Sequence, residues 1–280
     1  MAAGHARSAT YLSGIVAAHR ETAASDTRDP ELLLEKAAAS PPCRGFRSAL
    51  VGLGATAGVI AEIKRRSPSK GDLAPELNPA ALASSYEQGG AACLSVLTDE
   101  RFFGGSASDL REARGACGLP VLRKDFTVSV ADVADARLMG ADALLLIVAA
   151  LSADELSTLV GVASGLGLDS LVEVHDEAEL QTALGCGADL VGVNQRDLRT
   201  FEVDTKLAAR LAALVPDGVV AVAESGIRGP RDVSRLAACG FQGVLVGESL
   251  VTSDEPARAV SALTGHRIGP RGPSRALANS

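Results

Sequence analysis

Residues 59–71 read Val-Ile-Ala-Glu-Ile-Lys-Arg-Arg-Ser-Pro-Ser-Lys-Gly, and this stretch decides between the two folds open to the chain. Val59 to Ile63 is short, mostly apolar and rich in β-branched residues, the composition of a strand. Glu62 interrupts it, and Lys64 follows two residues later. Side chains alternate along a strand, so the two charges point to one face. Charges at the C-terminal end of a buried strand, followed by a Ser-Pro-Ser-Lys-Gly loop, mark a site and not core packing. A doubly wound open sheet often carries a Gly-rich GxGxxG loop after its first strand. Here that place holds Lys-Arg-Arg-Ser-Pro-Ser.

Outward from this strand, eight short apolar runs recur: Val59–Lys64, Cys93–Leu97, Val121–Lys124, Ala143–Val148, Ser170–Val174, Leu190–Val193, Val219–Glu224 and Gly243–Val246. Segments with helical spacing lie between them, most clearly Ala131–Met139, Asp154–Gly165, Glu177–Gly185, Lys206–Leu214 and Arg231–Cys239. Ser152-Ala153-Asp154-Glu155 has the form of a capping box. Gly140, Gly187 and Gly240 stand where left-handed caps end helices. Runs spaced by the length of a βα unit predict an α/β fold, a (β/α)8 TIM barrel over residues 56–265. Residues 1–55 form an N-terminal helical extension, with helices near Tyr11–Arg20 and Pro30–Ala39, that either covers the barrel floor or leans over its mouth. Residues 266–280, rich in Gly, Pro, Arg and Ser, read as a disordered tail.

Composition narrows the function. The chain has 280 residues and a net charge of −7, which disfavours a nucleic-acid or anionic-membrane partner. The Ala141–Leu151 run is too short to span a bilayer, and the first thirty residues lack the apolar stretch of a signal peptide. Five widely spaced cysteines without a CxxC pair fit reduced thiols in the cytoplasm. Four scattered histidines offer no metal-ligand spacing, so no metal is expected. The oligomeric state is left open, with a monomer as the working expectation. Only five of the 27 basic residues are lysines, and two of these, Lys64 and Lys70, lie in the opening stretch.

A (β/α)8 barrel builds its active site at the C-terminal ends of its strands. Those ends supply Glu62 and Lys64, then Ser95, Lys124, Glu173, Asn194 with Arg196 beyond, Glu224, and Gly247 with Glu248. Leu122, Leu171 and Val222 share faces with Lys124, Glu173 and Glu224, so inward-pointing faces would bring these charges to one mouth. Any one of them alone could be a solvated strand end or half of an internal ion pair. Together they call for a charged ligand. After strands 7 and 8, Ser225, Gly226, Gly247 and Glu248 form the expected phosphate site, Glu248 acting through its backbone N–H. Ser67 lies near the same phosphate, with Lys70 either a contact or a solvated loop charge.

These residues carry a resemblance. Ala-Glu-Ile-Lys-Arg-Arg-Ser-Pro-Ser-Lys-Gly (61–71), Leu-Ser-Val-Leu-Thr-Asp (94–99), Pro-Val-Leu-Arg-Lys-Asp-Phe (120–126), Leu-Val-Glu-Val-His (171–175), Gly-Val-Asn-Gln-Arg-Asp-Leu (192–198), Ala-Glu-Ser-Gly-Ile (223–227) and Val-Gly-Glu-Ser-Leu (246–250) occur in order. From about residue 11 to 252 the chain resembles the indole-3-glycerol-phosphate synthase family of tryptophan biosynthesis. The resemblance implies an enzyme without metal or organic cofactor. Its small phosphorylated substrate would be 1-(2-carboxyphenylamino)-1-deoxyribulose 5-phosphate, closed to indole-3-glycerol phosphate with loss of carbon dioxide and water. It further implies Lys124 as general acid and Glu173 as general base; crowding Lys124 near Lys64 should lower the Lys124 pKa. Lys64 would meet the substrate carboxylate, with Glu62 orienting it. Asn194 and Glu224 would bind hydroxyls and position Lys64, and Arg196 would pair with the carboxylate or order its loop. Phe103, Phe126 and Leu145 would hold the anthranilate ring. Arg101-Phe102 and Gln195 depart from the family's commoner residues. Alternatives are a non-catalytic phosphate-binding barrel or a specialised copy serving a secondary pathway.

Overall fold

The structure, a computed structural model, describes residues 11–68, 70–197 and 202–271. Residues 1–10, Ser69 of the opening stretch, residues 198–201 and residues 272–280 of the expected tail lie outside the described residues. Eight parallel strands close on themselves in chain order: β1 Gly58–Ile63, β2 Cys93–Leu97, β3 Val121–Lys124, β4 Ala143–Ile147, β5 Asp169–Val174, β6 Leu190–Asn194, β7 Val220–Glu224 and β8 Gly243–Val246. Closure is made by β8 against β1, Gly58 opposite Gly243 and Ala61 opposite Val246. The expected (β/α)8 barrel is therefore what the chain forms.

Alternation produces two cores. Outward-facing Val59, Ala61 and Ile63 of β1, Val172 and Val174 of β5, and Ala221 and Ala223 of β7 pack beneath the surrounding helices. Inward-facing Ile60, Leu122, Leu171 and Val222 fill the barrel. These four come from alternate strands, the way such barrels stack their layers. Two residues further along the same strands and faces stand Glu62, Lys124, Glu173 and Glu224. Thus one layer of the barrel is hydrocarbon and the next is entirely charged.

The capping box at Ser152 and Glu155 is made, and Gly140, Gly187 and Gly240 take positive φ. The N-terminal extension does both things that seemed to be alternatives. Helix α1 (Tyr11–Ala24) lies over the mouth, where Tyr11, Leu12 and Ile15 line the cavity. Helix α2 (Pro30–Ala38), capped by Asp29, packs Leu33 and Ala37 on Ala134 at the barrel's side. Helix α3 (Phe46–Val51) plugs the floor with Phe46 and Leu50, which join the interior cluster. The backbone N–H groups of Arg44 and Arg47 donate to Asp142 and Asp169, at 2.8 and 2.9 Å, fixing this plug.

The tail needs correction at its start. Residues 266–271 are bonded to the barrel: Arg267 bridges Thr56, and the N–H groups of Ile268 and Gly269 donate to Ala55 and Ala237, each at 2.8 Å. Arg271 donates to the carbonyls of Pro216 (2.8 Å) and Gly240 (3.2 Å). A Gly/Pro/Arg composition supplies no core, yet backbone and guanidinium donors still find carbonyl acceptors.

Candidate active site

The charged layer floors a cavity of about 880 Å³ at the C-terminal ends of the strands. Lys124 extends between β5 and β7, its Nζ 3.0 Å from Glu173 Oε2 and 3.3 Å from Glu224 Oε2. Lys64, one step above the layer on β1's exit, donates to Glu62. Glu62, Glu173 and Glu224 are 4, 1 and 2 % exposed, so each carboxylate depends on these partners instead of water. Glu224, which the resemblance gave the task of positioning Lys64, forms its ion pair with Lys124.

Electrostatics correct a second expectation. Burial alone pushes the Lys124 ammonium towards neutrality, but Glu173, Glu224 and Glu62 outweigh it and raise its pKa. The lowering expected from Lys64 is absent because three carboxylates outweigh it. Glu173 is held below the ordinary carboxylate range: burial opposes this, while Lys124 and His175 prevail. Glu224, sharing Lys124 with Glu173, is pushed up to about 7, first by burial and then by Glu173, with Lys124 partly compensating. The pair therefore splits, Glu173 staying ionised while Glu224 titrates near neutrality.

Two glycines make room for this layer. A Cβ on Gly192 would lie 2.1 Å from Glu224 Oε1, and one on Gly247 would lie 2.3 Å from Glu62 Oε1 and 3.1 Å from Lys64 Nζ. Gly247, expected at the phosphate, is thus also space for the Glu62–Lys64 pair. Gly192 was missed; an isolated glycine inside a strand was its signal. Asn194 sits opposite Glu224, its Oδ1 accepting the Arg196 N–H at 3.0 Å. Ser225 adopts φ 64 and Gly226 φ 72, turning the chain sharply at β7's exit beside the cavity. Glu248 pairs its carboxylate with Lys70 at 3.2 Å, both half-exposed, which leaves its backbone at the cavity wall. Ser67 lines the same end.

The opposite wall is apolar. Phe103 and Phe126 approach to 6.2 Å between ring centres, with Leu145, Ile147 and Leu97 below. Phe103 ends a short helix, Glu100–Phe103, whose N-cap Asp99 also accepts from His19 Nε2 at 2.9 Å. The His19 ring lies 5.4 Å from Phe126, so α1 is latched to this wall. Sequence reading passed over His19, whose role depends on a contact eighty residues away. His19, Asp99 and Asp125 also bring three donor atoms within 4.8 Å. Their carboxylate oxygens already accept from His19, Phe102, Phe103, Phe126, Thr98 and Arg123, which fits a latch better than a cation site.

The cavity thus offers an ammonium and a carboxylate in hydrogen-bond contact, a second ammonium–carboxylate pair, an aromatic slot and small residues at a turn. Among the described residues, no helix is long and apolar enough to cross a membrane. Residues 12–263 match the family model for indole-3-glycerol phosphate synthase. The chain is 49% identical to indole-3-glycerol phosphate synthase 2 of Streptomyces coelicolor over 91% of its own length and 100% of that protein's. It is 58% identical to the Parafrankia indole-3-glycerol phosphate synthase over 73% and 76% of the two chains. The Chlorobium phaeovibrioides protein of the same name is 46% identical over 88% and 96%. Among solved structures, thiamine phosphate pyrophosphorylase from Pyrococcus furiosus superposes with a TM-score of 0.55 at 17% identity, covering 74% of this chain and 93% of that one, a likeness of fold.

Proposed function

This chain belongs to the indole-3-glycerol phosphate synthase family, and we propose that it closes 1-(2-carboxyphenylamino)-1-deoxyribulose 5-phosphate to indole-3-glycerol phosphate, as a cytoplasmic, monomeric carboxy-lyase of tryptophan biosynthesis. The observation that carries this reading is the Lys124–Glu173 contact at 3.0 Å on the floor of a half-polar, half-aromatic cavity. Ring closure needs an acid at one oxygen and a base at one carbon, and these two groups supply both.

In this reading the anthranilate ring lies between Phe103, Phe126 and Leu145, and the phosphate reaches the Ser225–Gly226 turn, the Glu248 N–H and Ser67. Lys64, held by Glu62, meets the substrate carboxylate, with Arg196 close by. Asn194 and Glu224 bind the sugar hydroxyls. The ring carbon bearing the carboxylate attacks the ribulose carbonyl carbon while Lys124 protonates the carbonyl oxygen. Carbon dioxide then leaves, and its bonding pair restores the aromatic ring. The new hydroxyl departs as water with a second proton delivered by Lys124, and Glu173 removes the proton from the neighbouring ring methylene. Of the two protons Lys124 delivers, one returns through Glu173 and one comes from solvent, matching the conversion of a carboxylate to neutral carbon dioxide. The proposal requires no metal or organic cofactor, nucleic acid or membrane.

Purified protein given this substrate without added metal should generate indole absorbance, and the gene should restore growth of a tryptophan auxotroph lacking the step. A well-expressed protein that does neither refutes the reading and favours a barrel that only binds its ligand.

A further inference from the structure

His175, the first residue past β5, completes a line of charges that the acid–base pair alone leaves open. Its backbone N–H donates to Glu179 Oε2 at 2.7 Å, and its Nδ1 lies 3.0 Å from that same oxygen. Glu179 is itself fixed in the first turn of the helix Glu177–Gly185, where Asp176 caps its N–H at 2.8 Å. The ring is thereby aimed back at the site, with Nε2 3.4 Å from Glu173 Oε1. That is an ion-pair distance without hydrogen-bond geometry, and among the described residues the buried Nε2 has no other acceptor. The two oxygens of Glu173 are therefore bracketed, Oε2 by Lys124 and Oε1 by His175.

Resting on the reading of Glu173 as base, we propose that His175 is a positioning residue for it: an imidazolium clamped by Glu179 that keeps Glu173 ionised and oriented while Lys124 is engaged with substrate. The need follows from the chemistry. On donating its proton, Lys124 becomes neutral and Oε2 loses its counter-charge. A carboxylate as buried as Glu173, left without a cation, would protonate from solvent before it met the substrate C–H. His175 supplies a cation that takes no part in the transfer. The imidazole is charged because its surroundings require it: burial pushes its pKa down, but Glu173 and Glu179 outweigh burial and lift it to about 10. As an imidazolium it presents an N–H to each carboxylate. The other charged groups facing this pair are Lys124 from β3, Glu224 from β7 and Glu62 from β1.

The test is His175→Gln, which keeps a polar side chain and removes the charge. Steady-state turnover is followed against pH, with circular dichroism and thermal melting as fold controls. The acid limb of kcat reports protonation of the base, which the parent holds below the ordinary carboxylate range, so losing the cation that remains once Lys124 has given up its proton should bring that limb up into the ordinary carboxylate range, with KM unchanged. An inflection near pH 7 from Glu224 is set apart because it vanishes in Glu224→Gln. If His175→Gln is folded and its acid limb stays in place, the proposal is overturned and His175 only clips the helix start. Where His175→Gln fails to fold, Glu179→Gln, which removes one of the two carboxylates holding the imidazolium, should move the limb the same way by less. No movement there overturns the proposal too. Glu173→Gln separates the two levels: retained turnover would remove the base reading itself, whereas an inactive Glu173→Gln beside an unmoved limb in His175→Gln would remove only this inference.

Discussion

Gly192→Ala separates the electrostatics of the site from the stability of the fold. Gly192 faces into the barrel on β6, and its missing Cβ is the space that Glu224 Oε1 occupies, 2.1 Å from where the methyl would be. Ordinary contact begins at 3.4 Å, so the carboxylate must retreat by about 1.3 Å. The methyl meets the carboxylate end of Glu224 and, at 3.3 Å, Leu171 Cδ1, side-chain atoms and not backbone, so the fold loses little, at the low end of overpacking costs, ~1 kcal/mol. For a chain of this size that is about 2–4 °C in Tm. The larger effect falls on the ion pair, where Lys124 Nζ and Glu224 Oε2 stand 3.3 Å apart. Stretched to about 4.6 Å at an effective dielectric constant of about 20, the pair with Glu224 ionised forfeits roughly 1.4 kcal/mol of attraction, and a misplacement of about 1 Å in the group that holds the acid costs about tenfold or more in rate. A continuous indole-absorbance assay should therefore show kcat/KM falling about tenfold while the melting temperature shifts by only a few degrees. In a Glu224→Gln background the same glycine substitution should add little, because both changes act through one carboxylate. Wild-type kcat/KM in Gly192→Ala, or simple additivity with Glu224→Gln, would refute the argument.

Further expectations concern the acid, the phosphate end and pH. Lys124→Ala should lower kcat by about 10²-fold or more, the usual contribution of a positioned acid, and near-full turnover would remove its assignment. Glu248→Ala should leave KM for the phosphorylated substrate almost unchanged, because the carboxylate pairs with Lys70 at the half-exposed rim and only the backbone N–H is assigned to phosphate; a large KM rise contradicts that division. Glu224, raised to about 7, binds a proton in the folded state at pH values where the unfolded chain has released it. Its contribution to stability is therefore lost as pH rises from its unfolded value through about 7, so the melting-temperature advantage of Glu224→Gln over wild type should grow between pH 6 and pH 8.5. Glu173, lowered, works in the opposite sense and loses its contribution only as pH falls below the ordinary carboxylate range.

The sequence already contained the charged layer, because alternation is a local rule. Once Leu122, Leu171 and Val222 face inward, Lys124, Glu173 and Glu224 must do so two residues later. What alternation leaves out is which charge meets which. Strand tilt and stagger set neighbours across the barrel, so Glu224 reaches Lys124 while Lys64 turns to Glu62. The expected direction of the Lys124 shift failed for the same reason: Lys64 was weighed, and three carboxylates from β1, β5 and β7 were not. The N-terminal extension was legible as helices but not as positions. Ile15 and Phe46 are both apolar residues on short helices, and nothing in their spacing says that one faces the mouth and the other the floor. His19 was illegible because its partner Asp99 is also the cap of a separate short helix, a coincidence only the fold creates.

A raised pKa on the residue assigned as acid is consistent with its task. The oxygen that Lys124 must protonate becomes an alkoxide as the ring carbon attacks, and an alkoxide is a stronger base than an amine. The acid therefore needs to be loaded and aimed more than it needs to be weak. Glu173, Glu224 and Glu62 raise its pKa and so keep it loaded near neutral pH. The cost appears on the return path, since an ammonium neutralised in the reaction must regain its proton before the next substrate. The 3.0 Å contact with Glu173 makes that return short: the proton the base takes from carbon lies one hydrogen bond from the amine that lost one. The same contact supports the proposed choice of Glu173 over Glu224 as base. A carboxylate raised to about 7, as Glu224 is, carries a proton for much of the time near neutral pH and is the poorer base, which suits the hydroxyl-binding role proposed for it.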